Sequence, residues 1–172
     1  MAKLDNFNNS HRRIFCYNRQ IFCYNKNIGH LFVPNINARI MNEKGGYYVR
    51  TNSLGFRSDI EFEKKKKNKP RILFFGDSNT AADGVSNYER FSELVGRHFN
   101  ADVYNFGLSG SGTDQQYLIW KEYAQGVEVD LIVLGVLVDN IERNKFAFRE
   151  TLHPHTKKRI LTPKPYFKLE GK

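Results

Sequence analysis

Three residues of the types needed for acyl transfer each follow an apolar segment of this sequence. Ser78 comes just after the run Arg71–Phe75, Gly107 follows a second such segment, and Asn140 follows a third. A serine hydroxyl can attack an ester carbonyl, and N–H groups aimed at the developing oxyanion stabilise it. Ser78 is therefore the candidate nucleophile. The backbone N–H groups of Ser78 and Gly107 and the side-chain amide of Asn140 are the candidate oxyanion donors.

The elements that must position these residues have the pattern of an α/β sheet. Continuous apolar runs predict buried strands over Arg71–Phe75 and Leu131–Val138, and a further strand is predicted between them over Asp102–Phe106. Amphipathic patterns between them predict helices that begin near Ser86 and near Thr113. Strand and helix alternate with short connections, which predicts right-handed crossovers and a parallel sheet. Ligands bind beyond the carboxyl ends of such strands, so the three candidate residues are expected at one rim.

Both predicted helices show start signals and an apolar stripe. Ser86 with Glu89, and Thr113 with Gln116, have the spacing of a capping box. The residues expected to face the core are Phe91, Leu94, Val95 and His98 on the first helix, and Tyr117, Trp120 and Ala124 on the second, with Gly126 as its C-cap.

Two short motifs and one asparagine resemble a known enzyme family. Gly76-Asp77-Ser78-Asn79-Thr80 resembles the first block of the SGNH, or GDSL-type, hydrolases. Asn105-Phe106-Gly107-Leu108-Ser109-Gly110 resembles the second block, and Asn140 matches the asparagine of the third. By this resemblance Ser78 is the nucleophile, and Ser78, Gly107 and Asn140 line the oxyanion hole. The resemblance also implies a three-layer flavodoxin-like parallel sheet and no metal or cofactor.

The resemblance extends upstream, and it fails in two places. Thr51–Ser58 is similar to a segment that precedes the first block in one subgroup, where Asn52 and Arg57 are expected to organise a turn against the sheet. The third block usually reads Gly-x-Asn-Asp, but here Asn140 is followed by Ile141. The family's last block, Asp-x-x-His, supplies the general base, and no histidine of this sequence has an aspartate three residues before it.

These departures predict a fold that is incomplete at its C-terminus and lacks its base. His153 and His155 are possible substitutes for the base, although a solvated His-Pro-His loop is the favoured interpretation. An incomplete sheet would also expose the edge of its third strand, which predicts self-association by edge pairing.

The sequence divides into residues 1–69, a polar and irregular N-terminal extension, and residues 70–172, the α/β domain. Gly45–Asp59 is expected to form a hairpin or turn assembly. Two near-identical heptads, Ile14–Gln20 and Ile21–Asn27, could form an amphipathic helix or an irregular arm, and both cysteines lie in them. Neither cysteine has histidine partners at the spacing of a zinc site.

Charge and composition limit the remaining possibilities. The net charge is +9, and much of it comes from Lys64–Lys67 and Lys69, a run typical of a solvated linker. No nucleic-acid-binding motif accompanies this charge, so no nucleic-acid partner is expected. No signal peptide or stretch of transmembrane length is evident, so a cytoplasmic location is predicted.

Three functional hypotheses follow. The first is a serine hydrolase that acts on a small acyl ester or an acetylated carbohydrate, with transfer to water or to another acceptor. The second is a truncated, inactive fragment or a non-enzymatic binding remnant of the same fold. The third is a basic protein that associates with surfaces through its charge.

Overall fold

The computed structural model describes residues 13–16, 21–42, 45–65, 68–152, 156 and 158–168. Its strands are β1 (Arg13–Cys16), β2 (Phe22–Asn25), β3 (Gly29–Phe32), β4 (Asn37–Ile40), β5 (Tyr47–Arg50), β6 (Arg71–Phe75), β7 (Asp102–Asn105), β8 (Leu131–Leu134), β9 (Phe148–Leu152) and β10 (Arg159–Pro163). Its α-helices are α1 (Ser78–Ala81), α2 (Phe91–Phe99) and α3 (Thr113–Ile119). Short 3₁₀-helical segments cover Asn87–Glu89 and Val138–Lys145, and a π-helical turn covers Trp120–Ala124.

A three-stranded parallel sheet in the order β7-β6-β8 carries the candidate site, and it confirms the mixed α/β class. The predicted first strand is confirmed residue for residue, and the second ends one residue earlier than expected. The third was predicted to reach Val138, but β8 ends at Leu134. The N–H of Gly135 still bonds to the carbonyl of Phe75, and the chain then turns away into the helical segment that contains Asn140.

The two faces of the sheet have different coverings. On β6, Leu73 and Phe75 join the larger hydrophobic core, which includes Ile119 of α3 and many residues of the N-terminal region. Ile72 and Phe74 belong to a smaller cluster on the opposite face, against which α2 packs. The alternation of neighbouring side chains along a strand accounts for this division.

Helix α2 packs mainly through small residues, since Ser92 and Gly96 are buried. Of the predicted inner face, Val95 packs against the smaller cluster, whereas Phe91, Leu94 and His98 are exposed, so the prediction is wrong at these three positions. A Cβ at Gly96 would lie 2.6 Å from a methyl carbon of Val103 on β7, which shows how closely the helix approaches the sheet. The capping box is confirmed, because the N–H of Ser86 donates to the Glu89 carboxylate, but it caps the separate segment Asn87–Glu89, and α2 begins later than predicted, at Phe91.

Helix α3 also buries a different face from the one expected. Tyr117 and Trp120 are exposed, whereas the buried residues are Asp114, Gln115, Gln116 and Ile119, and Ala124 is buried as predicted. The start at Thr113 is confirmed, but the capping bond runs one residue earlier, from the N–H of Gly112 to Gln115.

Strand β8 is an edge strand, and its side chains are largely exposed. The sequence predicted a strand buried on both faces, yet Leu131, Ile132 and Leu134 are all exposed. The strand pairs only with β6 within the described part of the chain, so nothing there covers its outer edge. Continuous apolar sequence predicted the strand correctly but could not predict its neighbours.

The N-terminal region is more regular than expected, since it contributes strands β1 to β5. The described residues of both heptads contain strands and no helix, with β1 reaching into the first copy and β2 lying in the second. Residues 45–59 do form a turn assembly, in which β5 is followed by a bridge between Thr51 and Arg57. Within the described residues, no helix is long and apolar enough to cross a membrane.

The lysine-rich segment has exposed side chains at Lys64, Lys65 and Lys69, as a solvated run should. Its backbone is fixed to the α/β sheet by β6, because the fully buried guanidinium of Arg71 donates hydrogen bonds to the carbonyls of Glu63, Lys64 and Lys65.

Candidate functional site

The turn that carries the candidate nucleophile Ser78 covers residues 76–85 and begins where β6 ends; it is named the nucleophile turn. Gly76 permits the turn, because a Cβ at this position would collide with the Thr80 side chain. Asp77 caps α1 by accepting a hydrogen bond from the N–H of Asn79, at 2.9 Å to Oδ1. Ser78 is the first residue of this one-turn helix and is partly exposed. Its hydroxyl is thus held at the carboxyl end of the central strand, as the sequence predicted.

Asn140 contacts the same turn from the helical segment Val138–Lys145, which follows β8. Its amide nitrogen donates to the carboxylate Oδ2 of Asp77 at 2.6 Å, and both side chains are buried. One hydrogen of the amide is used in this bond, and an amide nitrogen carries two. The bond therefore holds Asn140 against the residue that precedes Ser78 and leaves one N–H for a further acceptor.

Gly107 lies against α1, but its N–H is already engaged. A Cβ there would collide with the backbone of Thr80 and Ala81, so only glycine fits. The Gly107 N–H donates to the side chain of Asn105 at 2.8 Å. Asparagine commonly bonds the backbone two residues onward, so Asn105 itself carried the signal for this contact. The role of Gly107 as an oxyanion donor stays a prediction, and it requires this bond to open.

Two other N–H groups of the loop after β7 have no such bond. Within the described residues, the N–H groups of Ser109 and Gly110 contact no acceptor, whereas those of Leu108 and Ser111 bond to backbone carbonyls. Gly110 adopts a φ of +76°, a conformation that favours glycine. The sequence analysis did not single out Gly110 as a donor.

Asn105 is a structural residue of the site that the sequence analysis missed. Its amide nitrogen donates to the carbonyl of Thr80 and to the hydroxyl of Ser92, each at 2.8 Å, and the side chain is buried. One side chain thus joins β7, the nucleophile turn and α2.

Arg57 supports the nucleophile turn from the N-terminal region. Its Nη1 donates to the carbonyls of Ala81 and Ala82, and its Nη2 donates to the carbonyl of Val85. Burial lowers the pKa of this guanidinium to about 10, and nearby Arg90 adds to the effect. Arg57 remains charged at neutral pH. These contacts join the N-terminal turn to the end of α1 and the loop after it, whereas the sequence predicted a contact with the sheet.

The described histidines do not reach Ser78. His30 is buried, with Nε2 2.9 Å from the carbonyl of Ser109 and 2.6 Å from the guanidinium of Arg149. Burial, together with the charge of Arg149, lowers the pKa of His30 to about 4, so the ring is neutral at pH 7. His98 is exposed on α2. His153 and His155 lie outside the described residues.

Acidic groups near the rim have structural partners. Asp83 accepts a hydrogen bond from the hydroxyl of Ser109 at 2.7 Å. Asp114 lies in the first turn of α3 and forms a buried ion pair with Lys164. Among the described residues, no group of three histidine, cysteine or acidic side chains is placed to hold a metal ion.

Comparison with known proteins adds no family assignment. No protein-family model matches the chain, and no curated protein is similar to it at a significant level.

Proposed function

We propose that this chain carries the nucleophile and the oxyanion donors of a serine ester hydrolase, similar to the SGNH hydrolases, with Ser78 as the nucleophile. The observation that supports this most directly is the hydrogen bond between Asn140 and Asp77. It brings two of the three predicted motifs together across 63 residues of sequence, with Ser78 next to the bond. A flavodoxin-like sheet belongs to the same proposal.

The proposed reaction begins when a base removes the hydroxyl proton of Ser78. The Oγ then forms a bond to the ester carbonyl carbon, and the carbonyl electrons move onto oxygen to give an oxyanion. Collapse of this intermediate expels the alcohol, which takes up the proton, and water later releases the acid from the serine by the same route. The oxyanion would accept from the N–H of Ser78 and the second N–H of Asn140.

A third donor comes from the loop after β7. Gly107 can serve only if its bond to Asn105 opens, at some cost in free energy. Gly110 is the alternative, because its N–H has no acceptor among the described residues and its loop already packs near the turn. The substrate class that we propose is a small acyl ester or an acetylated carbohydrate, and this rests on the family resemblance alone.

A binding function without catalysis is the second candidate. It is favoured by the histidines, since His30 is neutral and engaged with Ser109 and Arg149, and no described histidine contacts Ser78. A serine without a base loses most of its reactivity, by several orders of magnitude in well-studied hydrolases.

The test supplies the base from solution. The purified protein is assayed with an aryl acetate, with and without added imidazole, alongside Ser78→Ala and Asn140→Ala. Imidazole-dependent turnover above the solution rate should vanish in Ser78→Ala and should fall about 10²-fold to 10³-fold in Asn140→Ala. Asn79→Ala is the matched control, because Asn79 is exposed in the same turn and should leave the rate unchanged.

Equal turnover in the wild type and Ser78→Ala would reject the hydrolase and leave the binding function. Turnover that needs no imidazole but is lost in His153→Ala or His155→Ala would assign the base to that histidine. An O-acetylated oligosaccharide in place of the aryl ester tests the substrate class separately.

A further inference from the structure

We propose that Arg57 is a positioning residue that sets the geometry of the nucleophile turn from outside the α/β sheet. The proposal rests on the proposed function only where catalysis is measured. Its structural basis, a set of hydrogen bonds to one short segment, is independent of the reaction.

The nucleophile turn cannot maintain its shape alone. Helix α1 contains four residues, and a helix of this length has a nucleation cost that its few internal bonds do not offset. The chain also passes through a left-handed conformation at Ala82, where φ is +56°. Such a conformation is unfavourable for alanine and persists only where the surroundings impose it.

Arg57 provides contacts on both sides of this strained residue. Its guanidinium donates to Ala81 at 2.8 Å, to Ala82 at 3.0 Å and to Val85 at 2.7 Å. The Nε donates to the side chain of Asn87 at 3.2 Å. A planar guanidinium has fixed donor directions, so these bonds constrain where each carbonyl points.

Arg57 is itself rigidly held. The side chain is 1% exposed and lies 5.7 Å from the ring of Tyr47 on β5. Its backbone pairs with Thr51, and the adjoining loop is closed by the side chain of Asn52, which accepts from the N–H groups of Leu54 and Phe56. The N-terminal region thus holds the Arg57 guanidinium in a fixed position.

The contacts of Arg57 differ in kind from the other supports of the turn. Asn140 and Asn105 each give the turn a single hydrogen bond from the sheet side. The Arg57 side chain alone donates hydrogen bonds to three carbonyls, and two of these carbonyls, of Ala81 and Ala82, lie at the carboxyl end of α1. A lysine at position 57 would keep the positive charge, but its single ammonium group cannot donate in the several fixed directions of the guanidinium. The Arg57→Lys substitution therefore separates geometry from charge.

The experiment compares Arg57→Lys with the wild type by amide hydrogen exchange and by kinetics. The protected amides of the turn are those of Ala81, Ala82 and Asp83. We expect their exchange to become at least about ten-fold faster in the variant, while amides of the β2–β3 hairpin keep the wild-type rates. In the imidazole-supported assay, kcat should fall at least about ten-fold with KM nearly unchanged, because a displaced nucleophile affects the chemical step.

Arg39→Lys is the matched control. Arg39 also belongs to the N-terminal region and donates to one carbonyl, that of Gly45, so it should alter neither measurement. Unchanged exchange at the turn in Arg57→Lys would overturn the proposal. A uniform increase across the whole chain would also overturn it, because it would show a general loss of stability.

Faster exchange at the turn with an unchanged kcat would show that the turn does not limit catalysis, and this too would overturn the proposal. If the wild type has no Ser78-dependent turnover, the proposed function fails. In that case the exchange data alone decide whether Arg57 positions the turn.

Discussion

At the scale of single residues, His30 is the group whose titration the structure alters most clearly. Its ring is buried between the carbonyl of Ser109 and the guanidinium of Arg149. A proton on this ring would place a second positive charge in a site already shielded from water. Burial is the larger cause, and the two effects lower the pKa of His30 from 6.5 to about 4.

This pKa predicts how stability depends on pH. The unfolded chain takes up a proton on His30 below about pH 6.5, whereas the folded chain does so only near pH 4. The unfolded state therefore binds more protons between these values, and the free energy of unfolding must fall as the pH is lowered through this window. The full effect is at most about 3 kcal/mol, since each unit of pKa corresponds to 1.36 kcal/mol.

Urea unfolding at several pH values between 4 and 7 checks the prediction. In His30→Gln, the loss of stability toward pH 4 should be smaller than in the wild type, whatever the substitution costs at pH 7. His98→Gln, at an exposed position of α2, is the control for replacing a histidine by glutamine. The same slope in His30→Gln and the wild type would show that His30 does not titrate as the structure indicates.

At the scale of elements, the sequence predicted where strands lie better than which surfaces they bury. Arg71–Phe75 was identified correctly because its signal is local, an apolar run between Pro70 and Gly76. The Gly-Asp-Ser turn and Asn140 were placed at the same rim for a similar reason, since strand ends of a parallel sheet share an edge. The contact of Gly107 with Asn105 is also local, and it was overlooked.

Helix faces depend on contacts that are distant in the sequence. On α3 and the turn after it, the exposed aromatic residues Tyr117 and Trp120 were predicted to face the core, whereas the buried Asp114 was not. The buried position of Asp114 depends on Lys164, which lies 50 residues away. The periodicity of apolar residues along α3 therefore could not predict that Asp114 is buried.

The pair formed by Lys164 and Asp114 predicts a large effect on stability. The two side chains are only 4% and 3% exposed, so removing one partner leaves a buried charge without compensation. Lys164→Met should lower the free energy of unfolding by about 3–5 kcal/mol. The double variant Lys164→Met with Asp114→Asn should recover part of this loss, because the unpaired carboxylate is then gone. Thermal and urea unfolding measure both.

Lys145→Met provides the control for this pair. Lys145 forms an ion pair with Glu142 on the surface, with both side chains about two-thirds exposed, and its loss should change stability little. Equal effects of Lys164→Met and Lys145→Met would contradict the burial of the first pair.

At the scale of the whole molecule, the N-terminal region and the sheet share one hydrophobic core. Phe32, Val49 and Phe56 from the N-terminal region lie in the same cluster as Phe75 and Phe106. The division at residue 70, drawn from composition, describes a change in sequence character and not a break in packing. Removing the N-terminal region would expose one face of the sheet and would remove Arg57 from the nucleophile turn.

The other consequence at this scale concerns the outer edge of β8, with which no strand of the described residues pairs. Leu131–Val138 contains no charged residue, and an uncovered apolar edge strand readily pairs with another chain. We propose that two copies associate through this edge. The mass measured by light scattering after size exclusion should rise with protein concentration, and Ile132→Lys should keep the protein monomeric. Leu94→Lys is the control, because Leu94 is similarly exposed on α2, at 52% against 48% for Ile132. A wild-type mass that stays monomeric at every concentration would refute the edge pairing, as would equal dissociation by both lysine substitutions.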